Sequence, residues 1–452
     1  MQFVESEYTG ECICTLEGDA MVTVLHLSDI HMGSGFAHGR MNPETGMNTR
    51  LEDFVTTLSR CIDRAIAEPA DLVLFGGDAF PDATPPPLVQ QAFAGQFRRL
   101  ADAGIPTVLL VGNHDQHAQG QGGASLCIYR TLGVPGVIVG DRLATHRVET
   151  AGGPVQIVTL PWLTPSVLLT RPEMEGLSMA QVNEQLLERL RVALEGEIRR
   201  LDPDIPTILL AHLMTDTASF GAEKFLAVGR GFNVPMALLA RPCFDYVALG
   251  HVHKHQILCE SPPVVYPGSI ERVDFSEAEE PKGYVWAEVA KGTTQVEFCP
   301  LPVRPFLTIK ADLTKRDRPQ DQLLKAISQH DLTDAVVRLM YSLRPDQMDE
   351  LDNAALYEAL ATAHTYTIHP QMVSPQGRSR LPELTPGDSL DPIAALQTYL
   401  NNRDDLAELA ADMTAAAQAL LEDTPYEPDP STDVAVDTPP PEDDASRQLR
   451  LL

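Results

Sequence analysis

The 452-residue chain predicts an α/β fold of layered α+β type, and three observations predict it. Short apolar runs alternate with segments of helical spacing, five of those runs end in Asp, Asn or His, and a chain this long needs more than one ordinary core. The five runs are Val22–Leu27 before Ser28-Asp29-Ile30-His31, Asp71–Phe75 before Gly76-Gly77-Asp78, and Thr107–Val111 before Gly112-Asn113-His114-Asp115. They continue with Thr207–Ala211 before His212 and Tyr246–Leu249 before Gly250-His251-Val252-His253. Open α/β folds place ligands at the carboxyl ends of their strands, so five polar strand ends read as one site.

The elements follow in order. Arg50–Ala67 carries Leu51, Phe54, Leu58, Cys61, Ile62 and Ala65 at helical spacing, and Pro85-Pro86-Pro87 opens a second helix closed by Gly104. Val155–Leu160 reads as a strand and Met179–Arg200 as a long helix, while Val264–Gly268, Tyr284–Val289 and Gln295–Cys299 complete the sheets. From Pro305 a small βαβαβ module is expected, with strands Phe306–Leu313, Ala335–Leu343 and Tyr366–Val373 and helices Gln320–Ile327 and Asn353–Ala363. Pro392–Leu421 reads as one amphipathic helix suited to packing on its own domain or docking onto another protein, and the acidic, Pro-rich stretch from Pro425 reads as disorder.

Composition sets limits. No apolar run reaches the length of a membrane span. The first twenty residues hold Glu5, Glu7, Glu11 and Glu17 without Lys or Arg, unlike a secretory or transit peptide, and Met21 is a plausible natural start. Seven scattered cysteines form no disulfide framework, so a reducing cytoplasm is the expected compartment; Cys12-Ile13-Cys14 lacks zinc-site spacing. A net charge of −29 excludes indiscriminate nucleic-acid binding, yet residues 381–452 hold 16 Asp and Glu against three Arg, so the body is only mildly acidic. Arg40, Arg50, Lys224, Arg230, Lys254 and Arg272 fall near the strand ends and are candidates to line a groove.

The strand-end side chains Asp29, His31, Asp78, Asn113, His212, His251 and His253, with His114, offer carboxylate, imidazole and amide oxygen but no thiolate. That set suits manganese, iron or zinc. It is too large for one ion, and Asp78 on the central strand is the natural bridge between two. Paired divalent ions hydrolyse phosphate esters, and a protonated histidine beside them can stabilise the departing oxygen; His114 fits that role, adjoining the candidate ligand Asn113 and Asp115, a carboxylate able to keep the imidazole charged. His26, His38, His117 and His255 are read as structural or exposed. Gly76-Gly77 without a following Lys-Ser/Thr argues against ATP binding by this chain.

In order and spacing these motifs resemble the five motifs of the calcineurin-like metallophosphoesterases over about residues 21–300. The likeness extends to the bacterial double-strand-break repair nucleases within that superfamily, through His26–Gly33, Tyr266-Pro267-Gly268-Ser269, Arg272 and Phe275. The resemblance implies a two-sheet sandwich flanked by helices, with a small α/β capping domain and C-terminal helices. It implies two divalent ions, Mn2+ by preference: Asp29, His31, Asp78 and His253 would hold one, and Asp78, Asn113, His212 and His251 the other. His114 would be the catalytic histidine, assisted by Asp115. The third residue after the bridging Asp, commonly His or Asp in the family, is here Pro81.

The division implied is an extension at 1–20, a nuclease domain at 21–301, a capping and DNA-contacting domain at 302–385, a partner-binding helical segment at 386–425 and a tail at 426–452. Expected partners are double-stranded DNA ends and hairpins, a coiled-coil ATPase and a second copy of the chain within a heterotetramer, with no membrane. The alternatives are a small-molecule or nucleotide phosphodiesterase, and a non-cleaving scaffold that clamps an ATPase to DNA.

Overall fold

In the strands that open the sequence, successive side chains enter different cores. Val22, Val24, Leu72 and Leu74 join one apolar cluster, whereas Leu25, Leu27, Val73 and Phe75 join another, which is the period of two expected of a strand buried on both faces. The computed structural model describes residues 21–117, 123–163, 178–219, 233–373, 392–401, 406 and 409–421. The expectations for residues 1–20, Cys12 and Cys14 among them, and for the acidic tail lie outside the described residues, as do Lys224 and Arg230.

Two six-stranded sheets form the centre. The first runs in the order Thr293–Pro300 (β14), Gly283–Ala290 (β13), Val22–Leu27 (β1), Leu72–Phe75 (β2), Thr107–Leu110 (β3) and Val137–Gly140 (β4). The second runs Gln256–Glu260 (β11), Pro263–Tyr266 (β12), Tyr246–Gly250 (β10), Thr207–His212 (β7), Gly153–Leu160 (β6) and Ala144–Thr150 (β5). Strands β1 to β4 are parallel in register, and β13 joins antiparallel at β1, so the sheet is mixed. In the second sheet β6, β7, β10 and β12 are parallel and β5 and β11 flank them antiparallel. Met214–Thr215 (β8) and Asn233–Val234 (β9) make a short separate pair.

The inward faces of both sheets share one dry core, with Val24, Leu74, Leu110, Ile157, Leu210 and Tyr246 fully buried. The outer face of the first sheet is covered by Thr49–Ala67 (α1) and Pro87–Asp102 (α2) through Phe54, Leu58, Phe93 and Phe97. The outer face of the second is covered by Met179–Ile198 (α4) through Leu186, Leu190 and Leu194, after the short Cys127–Thr131 (α3). Asn48 caps α1 by accepting the Arg50 N–H, and Ser178 and Gln181 form a capping box on α4. This is the four-layer sandwich implied above, and it brings the carboxyl ends of both parallel sets to one edge.

Met236–Leu239 (α5) precedes β10. Phe306–Asp312 (β15), Val336–Leu343 (β16) and Thr365–Met372 (β17) form a small sheet backed by Pro319–Ser328 (α6) and Asn353–Ala359 (α7), with a core of its own around Leu323, Leu339 and Leu356. It is fastened to α1 and the preceding loop: Thr49 Oγ1 meets His364 Nε2 at 2.8 Å, the Thr365 hydroxyl donates to the His38 carbonyl at 2.6 Å, and Arg304 forks onto Asp53 at 2.7 and 2.8 Å.

The sheets and the small module together make one compact unit; Arg344–Asp346 and the residues from Met372 onward make a second. In that second unit the expected single helix is two, Pro392–Asn401 (α8) and Ala410–Leu421 (α9).

Candidate metal centre

Three of the five strand ends, those after β1, β2 and β10, turn sharply. Asp29, His31, Asp78 and His251 take positive φ values of 51°, 46°, 58° and 106°, a backbone region that costs non-glycine residues about 1–3 kcal/mol and is held only where surrounding bonds insist on it. Those bonds are present. The Asp29, His31 and Met32 N–H groups donate to the carbonyls of Gly77, Asp78 and Ala79 at 3.0, 3.0 and 2.9 Å, zipping the loop after β1 to the loop after β2. The buried Asp115 carboxylate accepts from the N–H groups of Asp78, Ala79 and Gly112 at 2.8, 3.0 and 2.9 Å. Asp29 accepts the His251 N–H at 3.0 Å and so ties the first sheet's edge to the second's. At Gly250 the backbones come so close that a Cβ would lie 2.2 Å from the Gly76 carbonyl oxygen; only glycine fits.

The side chains so positioned converge. Potential ligand atoms of Asp29, His31 and His253 lie within 4.8 Å of one another, as do those of Asp78, His212 and His251, and those of His31, Asp78 and His114. His31 and His253 face each other Nε2 to Nε2 at 3.0 Å, while His253 Nδ1 is hydrogen-bonded to Glu277 at 2.6 Å and thereby presents a lone pair inward. Asn113 Oδ1 lies 2.9 Å from His212 Nε2 and 3.0 Å from His251 Nδ1. His212 Nδ1 donates to the Gly76 carbonyl at 2.6 Å, so its Nε2 also turns inward, 3.4 Å from Asp78 Oδ2. Asp78 Oδ2 is 3.6 Å from His31 Nε2, which puts this one carboxylate between the two groups.

Imidazole nitrogens and carboxylate and amide oxygens crowd together here, and burial and neighbouring charge decide which of them hold protons. Burial holds the imidazoles of His31 and His251 far below their ordinary value, His31 down to about 3, so both stay neutral as ligation requires. Burial works against Asp78 ionising, yet the charge and hydrogen bond of His212, followed by His114 and His31, hold its carboxyl well below the usual range. Burial likewise opposes a charged His212, but Asp78 outweighs it and lifts the imidazole to about 9. Burial raises Asp29, and burial followed by the charge of Asp78 pushes Asp115 up to about 7. A hard cation suits this set of oxygen and imidazole ligands.

The calcineurin-like phosphoesterase family matches residues 22–255, just over half of the chain. The chain belongs to the calcineurin-like phosphoesterase family. It is a phosphoester hydrolase by that membership, in a family that uses divalent metals. The phosphoesterase is 25% identical over 299 residues to the SbcD subunit of the nuclease SbcCD of Escherichia coli (strain K12), an alignment covering 64% of this chain and 71% of that protein. Among solved structures it matches a dimetal phosphatase from Danio rerio at 12% identity and a TM-score of 0.36, over 62% of this chain and all of that one. It also matches a protein of Thermus thermophilus at 17% identity and a TM-score of 0.32, over 62% of this chain and 99% of that one.

The structure brings all seven expected ligand residues of this phosphoesterase to one edge. Two expectations are corrected. Asp115 does not touch the His114 imidazole; it is consumed by three backbone N–H groups, and His114 Nδ1 is bonded instead to the Pro81 carbonyl at 2.7 Å, so the unusual Pro81 serves through its backbone. Arg50 and Arg272 do not line a groove. Arg50 is fully buried, pairing with Asp53 at 2.6 Å and donating to the Arg272 carbonyl at 2.7 Å, and Arg272 donates to the Arg304 and Glu277 carbonyls at 2.9 and 3.2 Å. Arg40 and Lys254 are exposed.

Of the four histidines read as structural, His26 meets the Tyr246 hydroxyl at 2.9 Å between the sheets, His255 donates to the Tyr266 carbonyl and stacks on Phe298, and His38 packs edge-on to Phe275 and Phe306. Sequence reading missed Trp162, whose ring lies over His251 with centroids 4.8 Å apart, and it missed Glu277 and Lys282. A tryptophan directly after an apolar strand was a usable signal for the first. Glu277 sits among Glu279 and Glu280, where a solvated acidic loop is the ordinary reading.

Proposed function

We propose that this chain is a manganese-dependent DNA nuclease, cutting phosphodiester bonds at double-strand ends and hairpins as the nuclease subunit of a complex with an SbcC-like coiled-coil ATPase. One observation carries the reading: Asp78 belongs to two donor groups, one with His31 and His114 and one with His212 and His251, and the first of these overlaps the Asp29–His31–His253 group at His31. Asp29, His31, Asp78 and His253 would hold one ion, and Asp78, Asn113, His212 and His251 the other. A pair of divalent ions bound there supplies an activated water and neutralises charge on the phosphate.

The chain's own residues do the rest. The His114 N–H donates to Asp78 Oδ1 at 2.8 Å and its Nδ1 to Pro81, which turns Nε2 toward the space shared with His31. From Nε2 a protonated His114 gives its proton to the departing oxygen as the ester bond breaks. Asp115 acts at one remove, keeping the Asp78 and Gly112 loops in register. The 25% identity to a subunit of the nuclease SbcCD supports nuclease action by this fold; within the same proposal, residues 302–385 contact DNA, residues 386–425 bind the ATPase, and the chain acts as a dimer in the cytoplasm.

The test is full-length protein with Mn2+ on linear duplex and hairpin DNA, beside bis(p-nitrophenyl) phosphate. His114→Ala should lower cleavage of both by about 100-fold or more while still binding manganese, since one positioned acid–base group is worth about 10²–10⁴. Hydrolysis of the small ester with no DNA cut, even with the ATPase present, would make the protein a small-ester phosphodiesterase. DNA bound but uncut by both proteins would make it a scaffold.

A further inference from the structure

A histidine ligates through one nitrogen only when the proton is kept on the other, and for His253 that choice is made by residues beyond the stretch 22–255. Glu277 ends the short turn Phe275–Glu277, and its carboxylate accepts from His253 Nδ1 at 2.6 Å, from the Val273 N–H at 3.0 Å and from Lys282 Nζ at 2.8 Å. Lys282 is 1% exposed, and its ammonium also reaches the Glu280 carboxylate at 3.0 Å and the His253 carbonyl at 3.2 Å. Lysines are almost never buried unless paired, because an ammonium taken from water must recover its hydration from acceptors. Here three acceptors surround it, one of them the backbone of His253 itself.

Of the proposed ligands, His212 is likewise bonded at Nδ1, but to a neutral carbonyl, that of Gly76. The two cation positions are therefore supported unequally, one by an anion and one by a peptide group. A carboxylate behind a ligating imidazole fixes its tautomer and raises its basicity.

We propose that Glu277 is a positioning residue for His253, its charge held in place by buried Lys282, and that this pair sets the affinity of the Asp29–His31–His253 position without setting that of the Asp78–His212–His251 position. The proposal rests on the two-ion reading above. Manganese alone is the probe: free Mn2+ is counted by its paramagnetic resonance signal during titration of the full chain, with wild type expected to show two sites. Glu277→Gln should weaken one site by about 10–100-fold and leave the other unchanged. The double variant Glu277→Gln/Lys282→Met, which leaves no ammonium buried alone, should show the same one-site loss.

On the wild-type chain loaded with zinc, 15N shifts of histidine, assigned with His253→Gln, should show His253 protonated at Nδ1 and ligating through Nε2. Two undiminished sites in both variants, parallel loss of both sites, or the opposite His253 tautomer would overturn the proposal. A wild-type chain with no pair of sites would instead bring down the two-ion reading itself.

Discussion

His26 shows how one buried group sets a pH dependence. Fully buried between the sheets, its imidazole is pushed by burial down to about 3 from an ordinary 6.5. The unfolded chain therefore binds a proton that the folded chain refuses between those values. Its contribution to stability is whole above about pH 6.5 and drains away as pH falls toward 3, at up to about 1.4 kcal/mol per unit. Urea unfolding at several pH values from 4 to 7, with chelator present throughout, should give a shallower decline for His26→Gln than for wild type; parallel curves would contradict this. The same residue shows what a sequence discloses. Its burial was legible from its place in an apolar strand, as were Asp29, Asp78 and His212, because a polar group at the end of a dry strand needs a reason to be there. Asp115 was misassigned because adjacency in sequence to His114 does not bring their side chains together around a tight turn.

Among the elements, α1 was legible almost to the residue, since its apolar face repeats at threes and fours over five turns. Strands β4, β5 and β11 were not, because half-exposed edge strands mix polar and apolar residues without a clean period. The start of α1 also corrects the notion of a DNA groove there. Arg50 is enclosed by Asp53, the Arg272 carbonyl and the rings of Phe54 and Phe306, 5.3 and 5.2 Å from its guanidinium carbon. Removing one partner of a buried ion pair costs about 3–5 kcal/mol. Arg50→Ala should accordingly lower the thermal midpoint by many degrees, yet leave unchanged the salt slope of DNA binding measured below that midpoint. A slope reduced by about one unit with stability intact would return Arg50 to the phosphate-contacting surface.

For the molecule as a whole, the layered class and the single convergent site were legible, because five strand ends of one chemistry can hardly be scattered. The pairing of those strands into two mixed sheets was not legible from the run of apolar residues, since a strand buried on both faces looks the same whichever sheet takes it. That division matters for what the protein does when stripped of ions. The Asp29–His31–His253 group and the Asp78–His212–His251 group each take donors from both sheets, at the edge where Gly76 and Gly250 touch. A bound cation is thus a rivet through the sandwich: Mn2+ at a hundred times its dissociation constant should add about 2.7 kcal/mol per site. Chelation should let the strand tips breathe, seen as faster amide exchange at Gly76 and Gly250 while the far ends of β2 and β10 stay protected.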